Sequence, residues 1–147
     1  MLECVVADAL GSKYRYGPHT GEFPAEIVSK KVPMVYPVEL LHKIVPLLSS
    51  NIIAVTPSPL QVEQNNNKWI KYVDKVQTVA ASPYGEWEAL EAAAEQIKDM
   101  DGDLIVLDCI GYTQKMKDMF ARVTGKMVVL PRTLLARVVS EVTDVEV

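Results

Sequence analysis

The sequence predicts an α/β fold in which a mostly parallel β-sheet is flanked by helices on both faces. From Asn51 onward, short apolar runs alternate with longer amphipathic runs, which is typical of β-α-β units. Two of the apolar runs, Ile52–Val55 and Leu104–Leu107, show no alternation of apolar and polar residues. Strands of this kind are covered on both faces, so we expect these two at the centre of the sheet.

The elements can be assigned in chain order. A first helix is predicted over Val38–Leu48, where Pro46 must either shorten or kink it. The segment Pro59–Val73 has weak helix propensity because it contains Gln64–Asn67, which we expect on a solvated face. The predicted strands are Ile52–Thr56, Gln77–Ala81, Leu104–Cys109 and Met127–Leu130.

Three amphipathic helices are predicted in the second half of the chain. Between Glu86 and Met100, apolar residues recur at helical spacing with Glu and Lys opposite. A second helix follows Thr113 and ends near Gly125, where a glycine C-cap is expected, and the last covers Thr133–Val142. The inward stripe of the first of these helices is predicted to contain Trp87, Leu90, Ala93, Ala94 and Ile97.

Composition restricts the class of partner. The 147 residues fit one domain, and 49% of them are apolar. A net charge of −4 provides no basic field for nucleic acid or for an anionic membrane surface. No apolar stretch approaches the roughly 20 residues that cross a bilayer, and the first ten residues lack the pattern of a signal peptide. We therefore expect a soluble, cytoplasmic protein.

The sequence contains no motif for a metal or a cofactor. Cys4, Cys109, His19 and His42 show none of the paired spacings of a zinc site, so we expect reduced thiols and no metal. Glycine-rich dinucleotide and nucleoside-triphosphate loops are also missing, as are the nucleophile elbow and the zincin motif. No cofactor is predicted.

The loops after the four strands are the expected place for a ligand, because ligands of parallel α/β sheets bind beyond the carboxyl ends of the strands. All four loops are rich in proline, glycine or hydroxyl side chains, which suits a polar pocket for a small anion or carboxylate. Turn chemistry alone often produces such loops, so both interpretations stay open. The loops are Thr56–Pro59, Ser82–Gly85, Asp108–Thr113 and Pro131–Thr133.

Cys109 is the sharpest chemical feature of these loops. A thiol between a central strand and a helix lies near amide donors, which lower a thiol pKa and favour a nucleophile or general base. The alternative is a buried cysteine that simply ends a strand. Asp108 is expected to cap the following helix, or else to orient Tyr112 or Thr113. His19 lies in a turn-rich stretch and either faces a pocket or is solvated.

The run Asp108–Thr113, followed by Leu130–Arg137, resembles the AroM protein family, which belongs to the aspartate/glutamate racemase superfamily. The resemblance covers about Thr20–Val142. Its other motifs, in the order of the family, are Thr20–Pro24, Thr56–Pro57 with Gln61, Lys68–Trp69 and Ser82–Tyr84.

The resemblance implies two similar parallel α/β halves with a ligand cleft between them and, in active racemases, one cysteine from each half. Cys109 matches the cysteine of the second half. The family commonly has Cys-Thr-Gly in the first half, where this sequence has His19, Thr20 and Gly21. We therefore expect residues 1–37 to be a loosely ordered remnant of a first lobe and 38–130 to be the parallel α/β lobe. Residues 131–147 would be a helix that packs on a first lobe or a partner, and the chain would self-associate.

Two functions remain open after the resemblance. The first is a module that binds a small carboxylate or amino-acid-like ligand without catalysis. The alternative is a cofactor-independent racemase or isomerase with Cys109 as an acid/base and His19 as the weaker candidate for the second. The residues implied to contact the ligand are Thr20, Gly21, Thr56, Pro57, Gln61, Ser82, Tyr84, Asp108, Gly111, Tyr112 and Thr113.

Overall fold

A computed structural model describes residues 35–143 of the chain, in which strands and helices alternate. A single 3-10 turn, Pro59–Gln61, follows the first strand. The strands are β1 (Asn51–Thr56), β2 (Lys75–Ala80), β3 (Leu104–Leu107) and β4 (Met127–Val129). The helices are α1 (Pro37–Leu48), α2 (Val62–Trp69), α3 (Trp87–Lys98), α4 (Gln114–Thr124) and α5 (Pro131–Thr143).

The four strands form one parallel sheet in the order β2-β1-β3-β4. The two uninterrupted apolar runs are β1 and β3, and they pair with each other at the centre, as predicted. Val55 lies opposite Leu107 in this pair, and Thr56 lies opposite Ala80 in the pair of β1 with β2. The carboxyl ends of β1, β2 and β3 therefore lie at a similar height on one edge of the sheet.

Helices cover both faces of the sheet, which confirms the predicted fold class. On one face, buried residues of α3 and α4 pack against alternate strand residues such as Ile53 and Ile105. On the other face, α1 and α2 pack against Ile52 and Val106, and Leu134 of α5 adds to this layer. Val106 has no exposed surface. Each central strand thus buries its odd and even residues in two separate apolar layers.

Several predicted boundaries move by one to two residues. The strand β3 ends at Leu107, so Asp108 and Cys109 lie in the loop that follows instead of in the strand. Helix α5 begins at Pro131 because proline suits the first helical position, where its missing N–H has no partner to lose. Helix α1 extends through Pro46 to Leu48, so the proline does not shorten it.

Two predictions about exposure were wrong. Trp87 is 39% exposed, because it is the first residue of α3 and its indole N–H donates to Glu91 in the next turn, 2.9 Å away. The segment Gln64–Asn67 is not wholly solvated, because Asn65 is only 6% exposed. Asn65 and Trp69 lie one turn apart on the same face of α2 and are its two buried residues.

Candidate functional site

The loops after β1 and β3 leave the sheet in opposite directions. The chain passes from β1 to α2 on one face and from β3 to α4 on the other. Adjacent strands whose connections diverge in this way form a topological switch point, which is where open parallel sheets bind ligands. The two loops contain the predicted site residues from Thr56 to Gln61 and from Asp108 to Thr113.

Asp108 is the centre of a polar network at the switch point. Its Oδ2 atom accepts a hydrogen bond from the indole N–H of Trp69, 2.8 Å away, and forms an ion pair with the Lys68 ammonium. Both partners come from the last residues of α2, so the network joins the connection of β1 to that of β3. The prediction that Asp108 caps α4 was wrong, because the cap is Thr113, whose hydroxyl accepts from the Met116 N–H.

The Lys68 side chain pairs with Asp108 but stays partly exposed. The Lys68 side chain is 34% exposed, whereas the Asp108 side chain is only 11% exposed. The lysine nitrogen also lies 5.5 Å from the centroid of the Trp69 ring, within the range of a cation–π contact. An ammonium has three N–H donors, so its bond to Asp108 leaves donors with which it can bind an anion.

Cys109 follows Asp108 directly and is half-buried. Its sulfur accepts a hydrogen bond from the Gly111 N–H over 3.4 Å. The loop after β2 approaches the same position, since a Cβ atom on Gly111 would lie only 2.4 Å from the Tyr84 phenol oxygen. The structure therefore brings Cys109, Gly111 and the exposed Tyr84 close together.

Tyr112 connects the loop after β3 to the end of β2 through a buried hydrogen bond. It is fully buried, and its hydroxyl donates to the carbonyl of Ala81 at 2.7 Å. Burial raises the pKa of the Tyr112 phenol far above its usual range, and electrostatic interactions with Cys109, Asp108 and Tyr84 act in the same direction. Tyr112 is therefore a protonated structural donor and not an acid available to a ligand.

The remaining predicted residues that the structure describes lie at the carboxyl ends of β1 and β2 and in the segments that follow these strands. Thr56 is buried, and its hydroxyl donates to the Gln61 side chain at 3.1 Å. Pro57 is half-buried in the same loop. After β2, the Ser82 hydroxyl accepts from the Tyr84 N–H at 3.2 Å. The predicted residues His19, Thr20 and Gly21 lie outside the described residues.

Two residues of this network that sequence reasoning did not assign to the site are Lys68 and Trp69. Lys68 is 40 positions from Asp108, and only the tertiary structure shows that they meet. The usable signal was the pair Lys68–Trp69 itself, which is one of the motifs on which the family resemblance rests.

Comparison with known families agrees with the resemblance seen in the sequence. The model of a family described as AroM protein matches residues 17–143. The chain belongs to the AroM protein family. The AroM match includes every residue of the site described above, together with His19, Thr20 and Gly21. Neither a curated protein nor a solved structure matches this AroM chain.

Metal-binding and membrane-spanning features are both missing from the described part of this AroM chain. Within residues 35–143, no cluster of three or more His, Cys, Asp or Glu side chains is arranged to hold a metal ion. In the same range, no helix has the length and apolar character needed to span a bilayer.

Proposed function

We propose that this AroM chain binds a small carboxylate or amino-acid-like ligand at the switch point between β1 and β3, without catalysing a reaction on its own. The observation that supports this most directly is the Lys68 ammonium, which Asp108 and Trp69 orient at the carboxyl edge of the sheet. Fixing the cation beforehand lowers the entropy lost when a ligand is bound.

The surroundings of Lys68 favour an anion of small size. Asp108 is largely removed from water, so the ion pair holds the lysine side chain in one position while part of it stays exposed. The loops at the same edge of the sheet also carry backbone N–H groups and the hydroxyl groups of Ser82 and Thr113. A carboxylate that binds there exchanges hydrogen bonds to water for charge-assisted bonds to the ammonium, which are the stronger kind.

Thermal stabilisation by a panel of small carboxylates tests the proposal. A ligand that binds only the folded chain raises its midpoint of unfolding in proportion to the logarithm of its concentration. We expect at least one carboxylate to do so in the wild type and in Lys75→Met, but not in Lys68→Met. Lys75 is the matched control because it is exposed at the opposite end of the sheet, where its ion pair with Asp101 is long. The absence of any stabilisation in the wild type, or equal stabilisation of both variants, would contradict the proposal.

A second candidate function is a cofactor-independent racemase or isomerase, as in the aspartate/glutamate racemase superfamily. The observation that favours it is the half-buried Cys109 at the switch point, whose sulfur accepts a hydrogen bond from the Gly111 N–H. Racemisation also requires a second acid/base on the opposite face of the substrate carbon. His19 is the sequence candidate for that role and lies outside the described residues.

Two measurements distinguish the candidates. Incubation with amino acids in deuterated water detects exchange at the α-carbon, and exchange with inversion that Cys109→Ser abolishes would establish the enzyme. Alkylation by iodoacetamide, in a Cys4→Ser background, reports on Cys109 alone. If the site binds carboxylates, a bound carboxylate slows this alkylation while no exchange occurs.

A further inference from the structure

Asn65 places an unsatisfied polar group inside the chain. Only 6% of the residue is exposed. Among the residues that the structure describes, none donates a hydrogen bond to its Oδ1 atom, which is fully buried. A buried acceptor without a donor costs on the order of the desolvation penalty of that group, so such atoms are few in folded proteins.

The position of Asn65 relates it to the candidate site. Helix α2 runs back from the carboxyl edge of the sheet, because Thr56 at the end of β1 bonds to Gln61 just before the helix. Asn65 lies one turn before Trp69 on the same buried face of α2. The Trp69 indole already reaches Asp108, at the end of β3.

The direction of helical side chains brings the Asn65 amide further toward the edge of the sheet. Side chains of an α-helix tilt toward its N-terminus, which for α2 is the end at the carboxyl edge. The Asn65 amide is therefore expected nearer to the carboxyl edge of the sheet than the backbone of Trp69, one turn later in the helix. Lys68 follows Asn65 by three positions and projects from the adjacent side of the helix to the same carboxylate.

We propose that Asn65 is a specificity-determining residue. Its Oδ1 atom accepts a hydrogen bond from the ammonium group of a zwitterionic ligand, and the carboxylate of that ligand binds the Lys68 ammonium. This inference rests on the proposed function and narrows it to ligands that carry both groups. The side chains of Lys68, Asp108 and Asn65 are complementary to such a ligand. Lys68 attracts the carboxylate, while the oxygens of Asp108 and Asn65 favour a positively charged hydrogen-bond donor. A carboxylate without an amine would leave the Asn65 acceptor unsatisfied, and sites of that kind discriminate strongly against the analogue that lacks the donor.

Matched pairs of compounds isolate the contribution of the amine. Alanine is compared with pyruvate, and glutamate with 2-oxoglutarate, because each pair differs in the group on the carbon next to the carboxylate. Affinities are measured by calorimetry for the wild type, Asn65→Leu and Asn67→Leu. Asn67 is the matched control, because it is exposed on the same helix. We expect the wild type and Asn67→Leu to prefer one amino acid over its keto acid by about tenfold or more, which corresponds to about 1.4 kcal/mol.

The Asn65→Leu variant is expected to lose this preference while it retains the affinity for the keto acid. Leucine is similar in size and removes the unsatisfied oxygen, so the unliganded variant is expected to melt no lower than the wild type. If the leucine variant does not fold, Asn65→Ala serves instead, because it also removes the acceptor and is expected to lose the preference.

The outcomes separate this inference from the proposed function. Carboxylates that bind through Lys68 with no preference for the amine, or with a preference that Asn65→Leu leaves intact, overturn the role of Asn65 alone. A preference that persists in Asn65→Ala overturns it as well. If no compound of either class binds the wild type, both proposals fail together.

Discussion

The ion pair between Lys68 and Asp108 is expected to stabilise the fold measurably, unlike a pair on the open surface. Substitution of Lys68 by Met removes the cation and leaves the Asp108 carboxylate, which is only 11% exposed, bonded to the Trp69 N–H without a countercharge from Lys68. Substitution of Asp108 by Asn keeps the shape of the side chain and an oxygen that can accept from Trp69. The two changes together form a double-mutant cycle that measures the coupling between the charges.

The magnitude follows from the burial of the two side chains. Exposed ion pairs contribute about 0.2–1 kcal/mol, and hydrogen bonds to charged groups contribute about 1.5–3 kcal/mol. Asp108 is nearly buried, but Lys68 is 34% exposed, so solvent screens part of the interaction. We therefore expect a coupling free energy of about 1–2 kcal/mol, which lies between these two ranges.

Urea unfolding of the wild type, the two single variants and the double variant gives this coupling. The pair Lys75–Asp101 is the control, with 3.6 Å between its charged atoms and side chains that are 69% and 71% exposed. Its coupling is expected to be about 0.5 kcal/mol or less and to vanish in 1 M salt, where the screening length is about 3 Å. The coupling of Lys68 with Asp108 should persist in salt. A value for that pair no larger than the control would refute the reasoning.

Three further predictions concern the loops and the core. Val106→Asp should prevent soluble expression, because Val106 has no exposed surface and the charge would be unpaired in the core; a folded variant would contradict the burial. Gly111→Ala should displace the exposed Tyr84 ring at a cost of less than about 1 kcal/mol, and the double variant with Tyr84→Ala should recover that loss in urea unfolding. Tyr112→Phe should lose stability at neutral pH, where the hydroxyl bond to Ala81 is intact. Because the folded pKa of Tyr112 is raised, the unfolded phenol ionises first, so the advantage of wild type over Tyr112→Phe should shrink above about pH 10; a constant difference would contradict the raised pKa.

The fold could be predicted from the sequence because its signals are local. The uninterrupted runs in β1 and β3 identify the central strands, and the helical spacing of apolar residues identifies α3 and α4. A glycine at position 125 ends α4 in the left-handed conformation, with a φ of 69°, as its place in the pattern predicts. Trp87 was misassigned because helical periodicity gives the face of a residue but not whether the sheet extends far enough to cover it.

The candidate site was only partly predictable, and the reason lies in the range of its contacts. Ligands of parallel sheets bind where strands end, so the positions of Asp108 and Cys109 directly after an apolar run are enough to single them out. The partners of Asp108 come from α2, a helix with weak propensity whose polar residues are usually assigned to solvent. A polar residue on a buried helical face looks the same in sequence as one on an exposed face. Asn65 therefore becomes informative only when its burial is known, and its unsatisfied oxygen is then the observation on which the proposed preference for an amine rests.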